Sequence, residues 1–331
     1  MRAGRPRSDR GERRVVGVVL AAVLLAGCAG TQEGMVPVGG ETAGAVERFD
    51  GERALAKAVE FAGMGEKVPG SEESGRVAEW LAGELRGAGA EGVEVRRFVE
   101  ETPVGEVEFR NVVGRVKGTR GGDGFVVFGA HWDTKTGIEG FVGANDGASG
   151  VGAVLEIARA VAEEPLGVEA RFVFFDGEEC RVSYSSGGVR DGFHGSARLA
   201  EEWEESGELA RMKGLFLLDM VGDRDWQLTI PRNCDAELVR RVLAAAREEG
   251  VRERCKLLPY AMGDDHVAFA SRGGKTVDLI DFEYGAAPGK NDYWHTAEDT
   301  VDKLSADSLR TAGRIALRAA AGLCGGEEGR E

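Results

Sequence analysis

The sequence predicts one α/β domain in which helices cover a sheet of buried strands. Three observations carry this. Short apolar runs recur, and each stops at or just before a carboxylate or an imidazole: Phe125 to Ala130 before His131, Arg171 to Phe175 before Asp176, and Gly214 to Leu218 before Asp219, while Thr276 to Ile280 precedes the segment with His295. Buried strands of a helix-covered sheet read as such continuous runs. Segments between them repeat apolar residues at helical spacing, as in Val151, Val154, Leu155, Ala158 and Val161. There is no internal repeat, and 331 residues at 42% hydrophobic composition suffice for one large core.

Taken in order, the chain opens with Arg2, Arg5, Arg7, Arg10, Arg13 and Arg14, followed by an uncharged run from Val15 to Ala26. That run is short for a permanent membrane span and reads as a secretory signal. Leu25-Ala26-Gly27-Cys28 resembles the lipobox of bacterial lipoproteins. Residues 1–27 are therefore expected to be a lipoprotein signal peptide and Cys28 a lipidated N-terminus, which makes the protein an exported lipoprotein anchored on the periplasmic or outer-membrane side. Residues 28–50 lack periodicity and suit a flexible tether. The catalytic domain is expected over residues 51–325. In it, Val77, Trp80, Leu81 and Leu85 mark a helix, Val93 to Phe98 and Val107 to Val116 alternate as strands, and Leu309, Ala312, Ala316 and Leu323 mark a closing helix.

The formal charge of −15 becomes −19 once residues 1–27, with their six Arg, Asp9 and Glu12, are removed. A nucleic-acid partner would bind against that field. Cysteines 180, 234, 255 and 324 show no zinc-like spacing, so neither a thiolate metal site nor a disulfide is expected. Cys180 reads as a small packed residue with no basic partner to activate its thiol, and His194 as a structural loop residue with no acidic partner.

Open α/β sheets bind ligands beyond the carboxyl ends of their strands, so the polar residues ending the apolar runs converge on one rim. His131-Trp132-Asp133-Thr134, Asn145-Asp146-Gly147, Asp176-Gly177-Glu178-Glu179, Asp219 and Trp294-His295-Thr296 supply imidazoles and carboxylates there. These are the donors of a catalytic zinc site, and an adjacent carboxylate can act as general base. Glu178 and Glu179 would point to opposite sides of an extended strand, so both serve one site only if a turn redirects them.

Together these motifs resemble metallopeptidase family 28, from about Val68-Pro69-Gly70-Ser71 to the C-terminal helix. The resemblance implies a zinc-exopeptidase-like fold, with a mixed, mostly parallel twisted sheet and helices on both faces. It implies Asp146, Glu179 and His295 as zinc ligands and Glu178 as base, with one ion expected and a second at His131 and Asp219 in the aminopeptidases. His131-Trp132-Asp133-Thr134-Lys135, Asp264-Asp265-His266 and the long stretch from Glu179 to Gly195 are similar to the glutaminyl cyclase branch. That branch implies cyclisation of an N-terminal Gln with release of ammonia, a proton network through Asp219 and Asp264, and pocket walls from Trp294 and Tyr184. Asn145-Asp146-Gly147-Ala148-Ser149-Gly150 looks instead like the aminopeptidases, which hydrolyse the N-terminal peptide bond. Asp278 stands where the cyclase branch commonly has histidine, Tyr184 where it has tryptophan, and Ala130 and Val151 where the animal enzymes have a cysteine pair. Retention of Glu178 argues against a third reading, a noncatalytic binding domain.

Overall fold

The computed structural model describes residues 43–184 and 188–324. The expected signal peptide and Cys28 lie outside the described residues. In chain order the elements are α1 (Ala43–Arg48), α2 (Gly51–Ala62), α3 (Glu72–Gly87), β1 (Glu91–Thr102), β2 (Gly105–Val116), β3 (Phe125–His131), α4 (Ala148–Glu163), β4 (Glu169–Phe175), α5 (His194–Ser206), β5 (Met212–Asp219), β6 (Leu228–Ile230), α6 (Ala236–Glu248), β7 (Cys255–Leu257), α7 (His266–Ala270), β8 (Thr276–Ile280) and α8 (Ala306–Ala321), with short 3-10 turns between some of them. No helix among the described residues is long and apolar enough to cross a membrane.

The strands form one sheet in the order β1-β2-β4-β3-β5-β8-β6-β7. Its centre, β4-β3-β5-β8, is parallel, while β1, β2 and β6 pair antiparallel with β2, β4 and β8 respectively. From β3 the chain crosses first to β4 on one side and then to β5 on the other, the kind of switch point at which open sheets leave a crevice. Register aligns the ends: His131 pairs with Phe175 and Asp219 with Ile280. The polar residues that follow the apolar runs therefore share one rim.

All of β3 is buried, because the sheet is covered on both faces. Val126, Phe128 and Ala130 join the larger core beneath α2, α3, α4, α6 and α8, whereas Phe125 and Val127 face a smaller one with Leu199, Trp203 and Phe269 from α5 and α7. Each phenylalanine so buried contributes about 1.5–3 kcal/mol of hydrophobic transfer. Helix starts are set locally: the Asp50 carboxylate accepts the Glu52 and Arg53 amides, Ser71 accepts that of Ser74, and Asp235 those of Glu237 and Leu238. Helix α4 has no side-chain cap and begins after Gly147, directly behind Asp146, so its positive end faces that carboxylate.

Three expectations change. Residues 43–50, expected to belong to the tether, pack on the domain, with Val46 and Phe49 buried against α4 and α8; α1 is too short to show a period in the sequence. Leu323 lies just past α8. His194 is the first residue of α5, and α2, α6 and the three-residue strands β6 and β7 were not anticipated.

Gly150, in the first turn of α4, lies where a Cβ would collide with the Leu218 carbonyl of β5 and the Ala130 methyl of β3. Gly83 on α3 has open space around it. Gly150→Ala should destabilise the metal-free protein by about 1–3 kcal/mol. Gly83→Ala should stabilise it by about 0.4–1 kcal/mol. Urea denaturation of both variants reads the opposite signs.

Candidate metal centre

Two clusters of ligating atoms share Asp146. On one side His131 Nε2 lies 3.1 Å from Asp146 Oδ1 and 3.2 Å from Asp219 Oδ1. On the other, His295 Nε2 lies 2.9 Å from Glu179 Oε1 and 3.3 Å from Asp146 Oδ2. Ligand atoms placed about 2.0–2.2 Å from a tetrahedral zinc stand about 3.3–3.6 Å apart. These separations are at or slightly inside that spacing, and the imidazole and carboxylate donor set, its ligating atoms converging on the two oxygens of Asp146, fits zinc. His295 and Met220, the residue after Asp219, hold left-handed backbone at φ 53° and 49°.

Buried carboxylates fix the loops that carry these ligands. Asp133 accepts the Glu178 amide at Oδ1 (3.0 Å) and the Glu179 amide at Oδ2 (3.1 Å). Asp299 accepts the Asn145 amide at Oδ1 (2.8 Å) and the Asp146 amide at Oδ2 (3.1 Å), and Tyr284 Oη donates to its Oδ1 (2.7 Å). Gly177, at φ +74°, makes the turn out of β4, and its Cα faces the Phe109 ring and His194 too closely for a side chain. The turn brings both glutamates to one hydroxyl: Tyr184 Oη is 3.2 Å from Glu179 Oε2 and 3.4 and 3.5 Å from the oxygens of Glu178. Beyond it, Asp191 accepts the amides of Arg181, Val182 and Ser183, which folds the long loop back.

The electrostatics follow from burial. The Glu178 carboxyl is pushed well above its ordinary range by loss of water and by the charge of Glu179, with Asp264 adding to it. Burial raises Glu179 and Asp219 as well. Asp146 moves down despite burial, because His131 and His295 hydrogen-bond to it. Burial disfavours the charged imidazoles, yet Asp146 and Glu179 lift His295 to about 9, and Asp133, Asp146 and Asp219 raise His131 strongly.

Asp264, His266 and Asp278 form a third buried group close enough to share an ion. Its hydrogen bonds favour a proton instead. Asn233 accepts the Met262 amide at Oδ1 (3.0 Å) and donates to the Met262 carbonyl through Nδ2 (2.9 Å), which fixes the amide's orientation. Its second N–H then faces His266 Nε2 at 3.0 Å. Nε2 is thus an acceptor, and the ring hydrogen sits on Nδ1, 3.6 Å from Asp278 Oδ2. A cation beside Nδ1 would meet that hydrogen. Burial lowers His266 to about 4, and burial raises both Asp264 and Asp278 well above the carboxylate range, with the charge of Asp278 adding to the first and that of Asp219 to the second.

The remaining residues fall as follows. Trp294 stacks on the His295 ring at 3.9 Å and meets Phe282 edge-on, and Tyr184 stacks on Phe193 at 4.9 Å. Cys180 does have a basic partner, contrary to its sequence reading: Lys135 Nζ is 2.9 Å from its Sγ and 3.4 Å from Glu179 Oε2. His194 does have an acid: Glu100 of β1 meets its Nδ1 at 2.7 Å, and Phe109 stacks on its ring at 4.3 Å. Both partners come from distant positions, where spacing carries no signal. Asp299 and Tyr284 were missed altogether; an acid one turn after His295 was the only available hint. The four described cysteines are free thiols.

Metal uptake has to displace the proton that the carboxylates hold on His295 below about pH 9. Zinc affinity should therefore rise with pH from 6 to 8, with proton release on binding. Chelator competition at each pH, and calorimetry in buffers of different ionisation enthalpy, would measure both; a flat pH response would contradict the protonated imidazole.

The geometry has relatives. The profile described as "Peptidase family M28" matches residues 111–320. The chain is 26% identical over 275 residues to the glutaminyl-peptide cyclotransferase of Drosophila melanogaster, covering 73% of this chain and 74% of that one. It is 33% identical to the crystal structure of an Acidobacteriales bacterium glutaminyl cyclase, with a TM-score of 0.76 over 82% of this chain and 94% of the other. A leucine aminopeptidase precursor from Bacteroides thetaiotaomicron is 26% identical, with a TM-score of 0.72 over 83% and 98%. With a profile match across most of its length and its sheet shared with both kinds of enzyme, the chain belongs to peptidase family M28.

Proposed function

We propose that this chain is a zinc-dependent glutaminyl-peptide cyclotransferase that closes an N-terminal Gln into a lactam and releases ammonia. The observation that carries the reading is Glu178: a carboxyl that burial raises well above its ordinary range, beside the Asp146-Glu179-His295 cluster and beneath the Tyr184 hydroxyl. A group so tuned both takes and returns a proton. The loop from Glu179 to Gly195, pinned by Asp191, brings Tyr184 over the two glutamates and favours a substrate that presents only a chain end.

Asp146, Glu179 and His295 would hold the zinc, which when bound would supply a Lewis acid for the carbonyl of the Gln side-chain amide. Glu178 takes a proton from the α-amine as its nitrogen bonds to the side-chain carbonyl carbon. It then hands that proton to the departing nitrogen, so the carbon–nitrogen bond breaks and ammonia leaves. The charge of Asp264 helps to keep the proton affinity of Glu178 raised, Asp219 belongs to the same proton network, and Trp294 and Tyr184 wall the entering residue. One zinc serves this reaction.

A second reading is favoured by one observation: His131 and Asp219 meet the free side of Asp146, as a second cation in an aminopeptidase requires. Glu178 would then take its proton from water attacking the scissile carbonyl. We further propose, from the Arg-rich start, the uncharged run and Leu25-Ala26-Gly27-Cys28, that the protein is exported and lipid-anchored at Cys28.

Purified protein incubated with Gln-peptides should release ammonia without free amino acid and carry one zinc per chain; amino acid released from aminoacyl anilides, with two zincs, would establish the peptidase instead. Glu178→Gln should keep the metal and lose about 10²–10⁴-fold in kcat. A fully active variant would reject Glu178 as the base.

A further inference from the structure

The loop that presents Asp146 to both ligand clusters is gripped from behind by two buried charged residues of opposite sign. Asp299, 1% exposed, binds the Asn145 and Asp146 amides with its two oxygens and is itself held by Tyr284. Lys67, fully buried, donates from Nζ to the Val142 carbonyl (3.1 Å) and the Gly65 carbonyl (2.7 Å), with the Phe61 ring 4.5 Å away. The backbone of Lys67 is tied to Thr134 in both directions, through its amide to Thr134 Oγ1 (2.7 Å) and its carbonyl to the Thr134 amide (3.2 Å). Thr134 follows Asp133, the residue that grips Glu178 and Glu179.

We propose that Lys67 and Asp299 form a charged clasp that sets the position of Asp146, so that two residues outside the ligand set govern how tightly the centre holds zinc. The inference rests on the metal-centre reading above. Its physical basis is the cost of the clasp. A buried ammonium and a buried carboxylate each lose several kcal/mol of hydration, and an apolar side chain of similar volume often serves a core as well or better. Burial brings Lys67 down to about 7, with Asp299 the charge that opposes the fall, and lifts Asp299 to about 6. Lys67 reaches the main chain of residues 142–146 at Val142, besides its bond to Gly65, and Asp299 reaches it at Asn145 and Asp146, besides its bond from Tyr284; neither has a hydrogen bond to a side chain of the ligand set. What they define is a loop shape. Partners of a ligand commonly govern metal affinity by about 10–100-fold.

The positioning role separates from a packing role by measuring zinc affinity and fold stability on the same proteins. Asp299→Asn keeps the volume but turns one acceptor oxygen into a donor facing a backbone N–H. Lys67→Met keeps the stem and removes the charge. The expected result is zinc affinity about 10–100-fold weaker in both, by chelator competition. The thermal midpoint of metal-free Lys67→Met should be no lower than that of the unaltered chain. Cobalt-loaded Asp299→Asn should show a shifted visible absorption band. Tyr284→Phe, which leaves both amide bonds in place, should bind zinc within a few-fold of the unaltered protein. Zinc affinity in Lys67→Met and Asp299→Asn within about twofold of the unaltered chain would overturn the clasp. Should Asp299→Asn fail to fold, Lys67→Met decides alone by the same two readouts. An unaltered protein that binds zinc yet turns over neither substrate class counts against the proposed reaction, while the affinity comparison still decides the clasp.

Discussion

A carboxylate that accepts two consecutive backbone amides, one on each oxygen, is the interaction on which this centre depends. Asp133 does this for Glu178 and Glu179, and Asp299 for Asn145 and Asp146. Such charge-assisted bonds are shorter and stronger than neutral ones. They also answer a topological difficulty. Ligand loops beyond the ends of parallel strands have no ladder partners, and their buried amides need acceptors. A single side chain that satisfies two adjacent amides fixes the peptide plane between them and so the direction in which both side chains leave. The opposed pair expected of Glu178 and Glu179 on an extended segment becomes a pair facing one hydroxyl.

The concentration of acid at the rim is the second constraint. Asp146, Glu178, Glu179, Asp219, Asp264, Asp265 and Asp278 are all buried, and Lys135 and the two rim imidazoles are the nearby cations. Desolvated like charges of this number cannot all remain ionised without compensation. The arrangement divides the labour. Around Asp146 the histidines, and zinc where it binds, balance the charge; around Asp264 and Asp278 protons do so, with His266 held in one tautomer by Asn233.

Much of this was legible in the sequence because strand ends announce themselves. An apolar run broken by His131 or Asp219 encodes both the strand and the rim, and the observed register places them together. What stayed hidden depends on contacts between distant positions. Lys135 reaches Cys180 across 45 residues, Glu100 reaches His194 across 94, and Asp299 reaches Asp146 across 153, none with a periodicity to betray it. Short elements escaped for another reason: α1 and the strands β6 and β7 are shorter than the window in which a period can be recognised.

The order of the ligands along the chain sets when the centre can exist. His131, Asp146, Glu179 and Asp219 are all made before β8, whereas His295 and Asp299 follow it, and β8 must first slot between β5 and β6 in the finished sheet. A chain still emerging from its ribosome therefore has its acidic ligands without the last imidazole and without the grip on Asp146. The Asp146-Glu179-His295 cluster is consequently complete only in a finished domain. Loss of even the final fifty residues removes His295, Asp299 and the closing helix together, and leaves His131, Asp146 and Asp219 without the grip that Asp299 gives the Asp146 loop.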